Sequence, residues 1–231
     1  MTMNGSIEPR NQCGENMKIT AQDACKMNRE VCGLAPIVPV LVINDASTAR
    51  ELAEALVAGG LPALEVTLRT PAALEAIKIM SEVEGGVVGA GTLITPADVK
   101  AAKAAGAKFG VSPGAADSLI QACEDEGMPL LAGAATATEA MRMLEKGYDL
   151  LKFFPAEASG GAPAIKAIGG PLPQITFCPT GGVSLKNAMD YLNLSNVICA
   201  GGSWVAPAAL VNAGKWDEIE TLAREASQLK G

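Results

Sequence analysis

Eight times between Ile37 and Gly202 the chain repeats one unit: a short apolar run, a turn rich in Gly, Pro and Thr, then an Ala-rich helical stretch. The apolar runs are 37–43, 61–67, 87–92, 107–112, 129–134, 149–155, 174–180 and 197–202. Strict alternation of strand and helix forces parallel pairing, because a parallel neighbour is reached only through a crossover. Eight such units close into a (β/α)8 TIM barrel, and a 231-residue chain makes a compact one. A doubly wound open sheet is the runner-up, weakened in its dinucleotide-binding form because no G-x-G-x-x-G follows the first run. Residues 1–33 read as a polar tail and a short amphipathic helix, an N-terminal helical extension to a barrel domain over 34–231.

The helices carry start and stop signals. Thr70-Pro71 and Thr95-Pro96 set a capping residue before a proline at the first helical position, and Thr136 with Glu139 forms a capping box. Gly59-Gly60, Gly85-Gly86 and Gly106 read as left-handed C-caps.

Composition removes whole classes of chemistry. The chain has no histidine, so a Ser-His-Asp triad, a Cys-His pair and an H-E-x-x-H zinc site are excluded. Acid–base work falls to Glu, Asp, Lys, Tyr or Cys. The six cysteines (Cys13, Cys25, Cys32, Cys123, Cys178, Cys199) contain no C-x-x-C pair, which argues against a metal site and for reduced thiols. A net charge of −7 with 3% aromatic residues lacks the basic footprint of a nucleic-acid binder. The polar first residues hold no secretory apolar region, and no run approaches the length of a membrane span. The expectation is a soluble, cytoplasmic protein that acts on a small molecule, with no nucleic-acid or membrane partner.

In such a barrel the chemistry sits at the C-terminal ends of the strands, and side-chain alternation tells which residues can share the interior. Lys152, flanked by Leu151 and Phe153 in the sixth run, is out of place there, since lysine is rarely buried unless paired. It reads as a snorkelling or structurally paired lysine, or as a Schiff-base nucleophile. With an ordinary pKa of about 10.4, such an amine becomes usefully reactive only if desolvation or a neighbouring cation lowers that value. The Schiff-base route needs no cofactor.

In the second run Glu65, Thr67 and Arg69 share parity. Burial would make Glu65 a usable acid and base near neutrality, and Arg69 at the strand end can clamp a substrate carboxylate. The bland alternative is a structural Glu65–Arg69 ion pair. Thr92 is a candidate second donor to that carboxylate. Pro113, in Ser112-Pro113-Gly114, shapes a turn at the end of the fourth run. Phe154 shares parity with Lys152 and serves as pocket wall or as core. The seventh and eighth runs end in Thr180-Gly181-Gly182 and Gly201-Gly202-Ser203, where paired glycines let backbone N–H groups approach an anion.

Several stretches resemble the 2-keto-3-deoxy-6-phosphogluconate (KDPG) and 4-hydroxy-2-oxoglutarate (KHG) aldolase family. GLPALEVTLR (60–69) is similar to its glutamate signature and GYDLLKFFP (147–155) to its Schiff-base lysine signature. GAGT (89–92), VSPG (111–114), FFPAE (153–157), FCPTGG (177–182) and GGSW (201–204) follow in the family's order. The resemblance spans roughly residues 34–228. It implies a metal-free class I aldolase, commonly a homotrimer, that cleaves a phosphorylated 2-keto-3-deoxy sugar acid to pyruvate and glyceraldehyde 3-phosphate. Lys152 would form the imine and Glu65 would shuttle protons. Arg69 and Thr92 would bind the pyruvate carboxylate, with Pro113 and Phe154 lining the pocket. Thr180 would meet the aldehyde portion, and Gly181, Gly182, Gly202 and Ser203 the phosphate. Two departures stand out: the N-terminal extension has no counterpart, and Ala132 replaces a frequent proline before Gly133.

Two other readings keep the barrel. In one, a phosphate-binding isomerase or decarboxylase uses Lys152 only as a charged donor. In the other, the barrel is a non-catalytic sugar-phosphate or keto-acid sensor. Lys152 and Glu65 are expected on neighbouring interior faces beside the phosphate cradle.

Overall fold

The computed structural model describes residues 18–229; positions 1–17 of the expected tail lie outside the described residues. Strands and helices alternate as the repeat requires. The strands are β1 (Ile37–Leu41), β2 (Ala63–Thr67), β3 (Val87–Gly91), β4 (Phe109–Val111), β5 (Leu130–Leu131), β6 (Gly133–Ala134), β7 (Leu150–Phe153), β8 (Thr176–Pro179) and β9 (Ala200–Gly202). The helices are α1 (Ala21–Cys32), α2 (Ala49–Ala58), α3 (Ala73–Met80), α4 (Pro96–Ala104), α5 (Asp117–Asp125), α6 (Ala137–Glu145), α7 (Gly161–Gly169), α8 (Ala188–Leu192), α9 (Ala208–Asn212) and α10 (Trp216–Ser227).

All strand pairs are parallel. They form two curled sheets, ordered β5-β4-β3-β2-β1-β9 and β6-β7-β8. One residue, Ala132, separates β5 from β6: the fifth run is two short strands rather than one. Its carbonyl still accepts from Lys152 N at 2.9 Å. The eighth run is extended only over its last residues, with single bridges Phe177–Val197 and Thr180–Gly201 alongside β8.

Thr95 and Thr136 cap α4 and α6, as read from the sequence; Thr136 forms the expected box with Glu139, and Thr95 forms a further one with Asp98. Thr70 does not cap α3. Its hydroxyl donates instead to the Ile43 carbonyl beyond β1, and the helix starts later, after Ala72. Gly60 and Gly106 are left-handed just past α2 and α4. Gly85 is left-handed too, but α3 has already ended at Met80, so Gly85 shapes the turn beyond it.

The strands are buried on both faces, and the helices turn Ala- and Leu-rich sides onto them in one continuous core. Helix α1 is amphipathic, as expected. Thr20 and Asp23 close its capping box, and Ala21, Ala24, Cys25 and Cys32 are buried in the same core. It lies against β5 and β7 at their entry ends, where Ile19 N donates to Glu124 O and Arg29 meets Asp149. No helix among the described residues is long and apolar enough to cross a membrane.

Candidate active site

Lys152 on β7 is 5% exposed and Glu65 on β2 is 3% exposed, both within apolar strands. The Lys152 Nζ donates to Glu65 Oε1 at 3.2 Å. The two strands belong to different sheets, so the pair spans the interior rather than sitting on neighbouring faces. The long lysine stem makes the crossing possible, and Gly91 makes room for its partner. A Cβ at Gly91 would collide with the Glu65 carboxylate. The structural Glu65–Arg69 ion pair is not formed, and among the described residues no carboxylate pairs with Arg69.

The pair opens into a cavity of about 290 Å³ at the exit ends of the strands. Glu65, Thr67 and Arg69 all line it, as their shared parity predicts, together with Thr92, Pro113, Lys152 and Phe154. Phe154 is pocket wall, not core, with its ring centroid 5.2 Å from Lys152 Nζ. Thr180, Gly181, Gly182 and Ser203 complete the far side.

Gly202 is the exception among the expected site residues. Strand alternation turns Gly201 and Ser203 inward and Gly202 outward, where any Cβ would strike the Trp204 ring. Sequence reading missed Val40 and Val183 as lining residues; it named Gly201 only as one of the glycine pair and assigned the phosphate to Gly202, although parity with Ser203 favoured Gly201. Thr67 does line the cavity, but its hydroxyl is spent on the Leu41 carbonyl at 2.9 Å.

Thr92 has a backbone φ of 61°, a left-handed conformation that a β-branched residue rarely adopts and that costs about 1–3 kcal/mol. Its neighbours hold it there, with Leu68 N on Gly91 O at 2.8 Å and Leu93 N on Val111 O at 3.1 Å. Strain of this kind concentrates at functional positions, and Thr92 lines the same cavity as Arg69.

With Lys152 and Arg69 against one carboxylate, the cavity carries more positive than negative side chains and suits an anionic ligand. Beneath it Cys178 stands opposite Lys152 in the β7–β8 register, with its Sγ 3.4 Å from Cys199 Sγ. Hydrogen bonding with Cys178, reinforced by burial, pushes the Cys32 and Cys199 thiols up, which keeps them protonated and inert. Among the described residues no group of three or more Cys, Asp or Glu side chains is arranged to hold a metal ion.

The family model described as KDPG and KHG aldolase matches residues 29–222. A 2-dehydro-3-deoxy-phosphogluconate aldolase of Pseudoalteromonas atlantica is 51% identical over 213 residues, covering 92% of this chain and 96% of its own. The crystal structure of the 2-keto-3-deoxy-6-phosphogluconate aldolase of Zymomonas mobilis ZM4 with 3-phosphoglycerate superposes with a TM-score of 0.85. It is 48% identical and covers 89% of this chain and 97% of that one. The KDPG aldolase of Legionella pneumophila, with pyruvate captured as a covalent carbinolamine intermediate, has a TM-score of 0.84. It is 44% identical, with coverage of 87% and 98%.

Proposed function

This chain belongs to the KDPG and KHG aldolase family and is an aldolase lyase, and on that premise we propose that it works through a Schiff base on Lys152. The substrate is 2-dehydro-3-deoxy-6-phosphogluconate, cleaved reversibly to pyruvate and glyceraldehyde 3-phosphate, with 4-hydroxy-2-oxoglutarate as a second substrate. The observation that carries the reading is the buried Lys152–Glu65 contact at 3.2 Å facing a cavity with Arg69. The covalent pyruvate adduct of the Legionella pneumophila relative supports it.

Glu65 takes a proton from the Lys152 ammonium, and the freed amine attacks the C2 ketone to give a carbinolamine. Glu65 returns the proton to the departing hydroxyl, and loss of water leaves an iminium that serves as electron sink. The carboxylate then removes the C4 hydroxyl proton; the C3–C4 bond breaks, releasing the aldehyde and leaving an enamine on Lys152. Protonation at C3 by Glu65 regenerates an iminium, and addition of water to it releases pyruvate and restores the Lys152 ammonium and the Glu65 carboxylate. Arg69 and Thr92 hold the pyruvate carboxylate throughout, with Pro113 and Phe154 as walls. Thr180 meets the aldehyde portion, and the amides around Gly181, Gly182 and Ser203, with Gly202 behind them, receive the phosphate.

We also read the two sheets as one closed (β/α)8 barrel: Ala132 alone interrupts the fifth strand, and the bridges beside β8 reach the β9 segment. A homotrimer is part of the same reading, with exposed Ile94 and Leu74 as apolar surface for a subunit contact to cover.

Steady-state release of pyruvate from the two substrates tests the assignment. The reading expects turnover of both, with the higher kcat/KM for the phosphorylated acid. No pyruvate from either would overturn it.

A further inference from the structure

Behind the Gly181-Gly182 turn lies a contact that the mechanism does not use. Three successive carbonyls of the turn are tied from outside the cavity. Thr180 O accepts from Ala156 N at 2.8 Å, Gly181 O from Glu157 N at 3.0 Å, and Gly182 O from Asn187 Nδ2 at 3.1 Å. In a planar trans peptide the N–H points opposite to the carbonyl, so the N–H groups of Gly182 and Val183 face away from these anchors, and both residues line the cavity. The left-handed backbone at Gly181 and Gly182, with φ of 102° and 79°, makes this possible.

Glu157 fills the space behind the turn. A Cβ on Gly182 would stand 2.5 Å from Glu157 Cγ and 2.7 Å from its Cβ. The Glu157 carboxylate in turn accepts from the hydroxyl of Tyr191 on α8. Tyr191 is fully buried; burial, then the Glu157 contact, raises its phenol above the ordinary value and keeps it a donor. Both residues face an outer groove that also holds Lys166, and neither lines the substrate cavity. A carboxylate adjoining an anion site is thereby turned away from it.

We propose that Glu157 and Tyr191 are positioning residues for phosphate recognition: Tyr191 anchors Glu157, and Glu157 fixes the Gly181-Gly182 turn with its N–H groups toward the ligand. The proposal rests on the phosphate-cradle reading above. It makes selectivity for the phosphorylated substrate depend on a contact on the outer side of the turn.

The test compares kcat and KM on 2-dehydro-3-deoxy-6-phosphogluconate with those on 4-hydroxy-2-oxoglutarate, which has no phosphate. Glu157→Ala and Tyr191→Phe each lower kcat/KM for the phosphorylated substrate about five- to tenfold, the loss of one hydrogen bond, mainly by raising KM. On 4-hydroxy-2-oxoglutarate both stay within about twofold of the unaltered protein. Glu157→Gln, which keeps the stem and an acceptor for Tyr191, restores most of the loss. Equal losses on both substrates, or no loss on either, would overturn the proposal; Glu157 is exposed, so its variants answer even if Tyr191→Phe folds poorly. An unaltered protein with no advantage for the phosphorylated substrate would instead overturn the cradle reading, and this proposal with it.

Discussion

Asp149 stands at the entry of β7 and Lys152 inside it, and each pairs with a charge from far along the chain. At the entry, Arg29 meets Asp149 at 2.8 Å with side chains 37% and 40% exposed; inside, Lys152 meets Glu65 at 3.2 Å with side chains 7% and 4% exposed. The shorter contact is the more exposed one. Water screens it, and such pairs contribute under about 1 kcal/mol. Burial would raise the Asp149 carboxyl, but hydrogen bonds from Arg29 and Cys25 outweigh it and leave it below its usual value. The interior pair holds two charges out of water, a cost offset only while both partners remain and their remaining polar atoms are satisfied. Depth, not distance, separates the two pairs.

The largest break in that comparison is Lys152→Arg, which keeps the charge and removes the nucleophile. We expect kcat to fall by at least about 10⁴-fold, read by pyruvate release. Measurable turnover would favour the isomerase or decarboxylase reading, in which Lys152 is only a donor. Glu65→Gln keeps the shape and removes the base, and a loss of about 10²–10⁴ in kcat follows. Arg69→Ala, at the cavity mouth, should raise KM about 10- to 100-fold, the worth of a charge-assisted hydrogen bond, with kcat less affected.

At the other end of β7, Asp149→Asn should leave kcat/KM within about twofold and lower stability by under about 1 kcal/mol, read by thermal unfolding. Its pH dependence has a defined sign. A carboxyl whose folded pKa lies below the unfolded value of about 3.9 contributes stability above that value and loses it as pH falls through the folded one. The difference in stability between Asp149→Asn and the unaltered protein should therefore shrink on acidification and be flat near neutrality.

Much of this was legible in the sequence because it rests on periodicity. The repeat gives parallel strands, and parity puts Glu65, Thr67, Arg69, Lys152 and Phe154 on one interior. What was not legible depends on contacts between distant segments. Thr70 precedes a proline as a cap should, yet Ile43 offers its hydroxyl a better acceptor. Gly202 reads like Gly201 until Trp204 folds over it. Ala132 stood out only as a departure at a turn, not as a strand break, and the crossing from β7 to β2 depends on curvature that no local pattern encodes. The strain at Thr92 is equally invisible, since a threonine after glycine reads as an ordinary strand end.

The central claim is that one interior amine on β7 becomes bonded to the substrate's keto carbon. Incubation with pyruvate and borohydride, followed by digestion and mass spectrometry, tests it directly. The account predicts a reduced pyruvate adduct on the peptide carrying Lys152, formed more slowly in Glu65→Gln and absent in Lys152→Arg. An unmodified Lys152 under conditions of full turnover, or an adduct on another lysine, would contradict it.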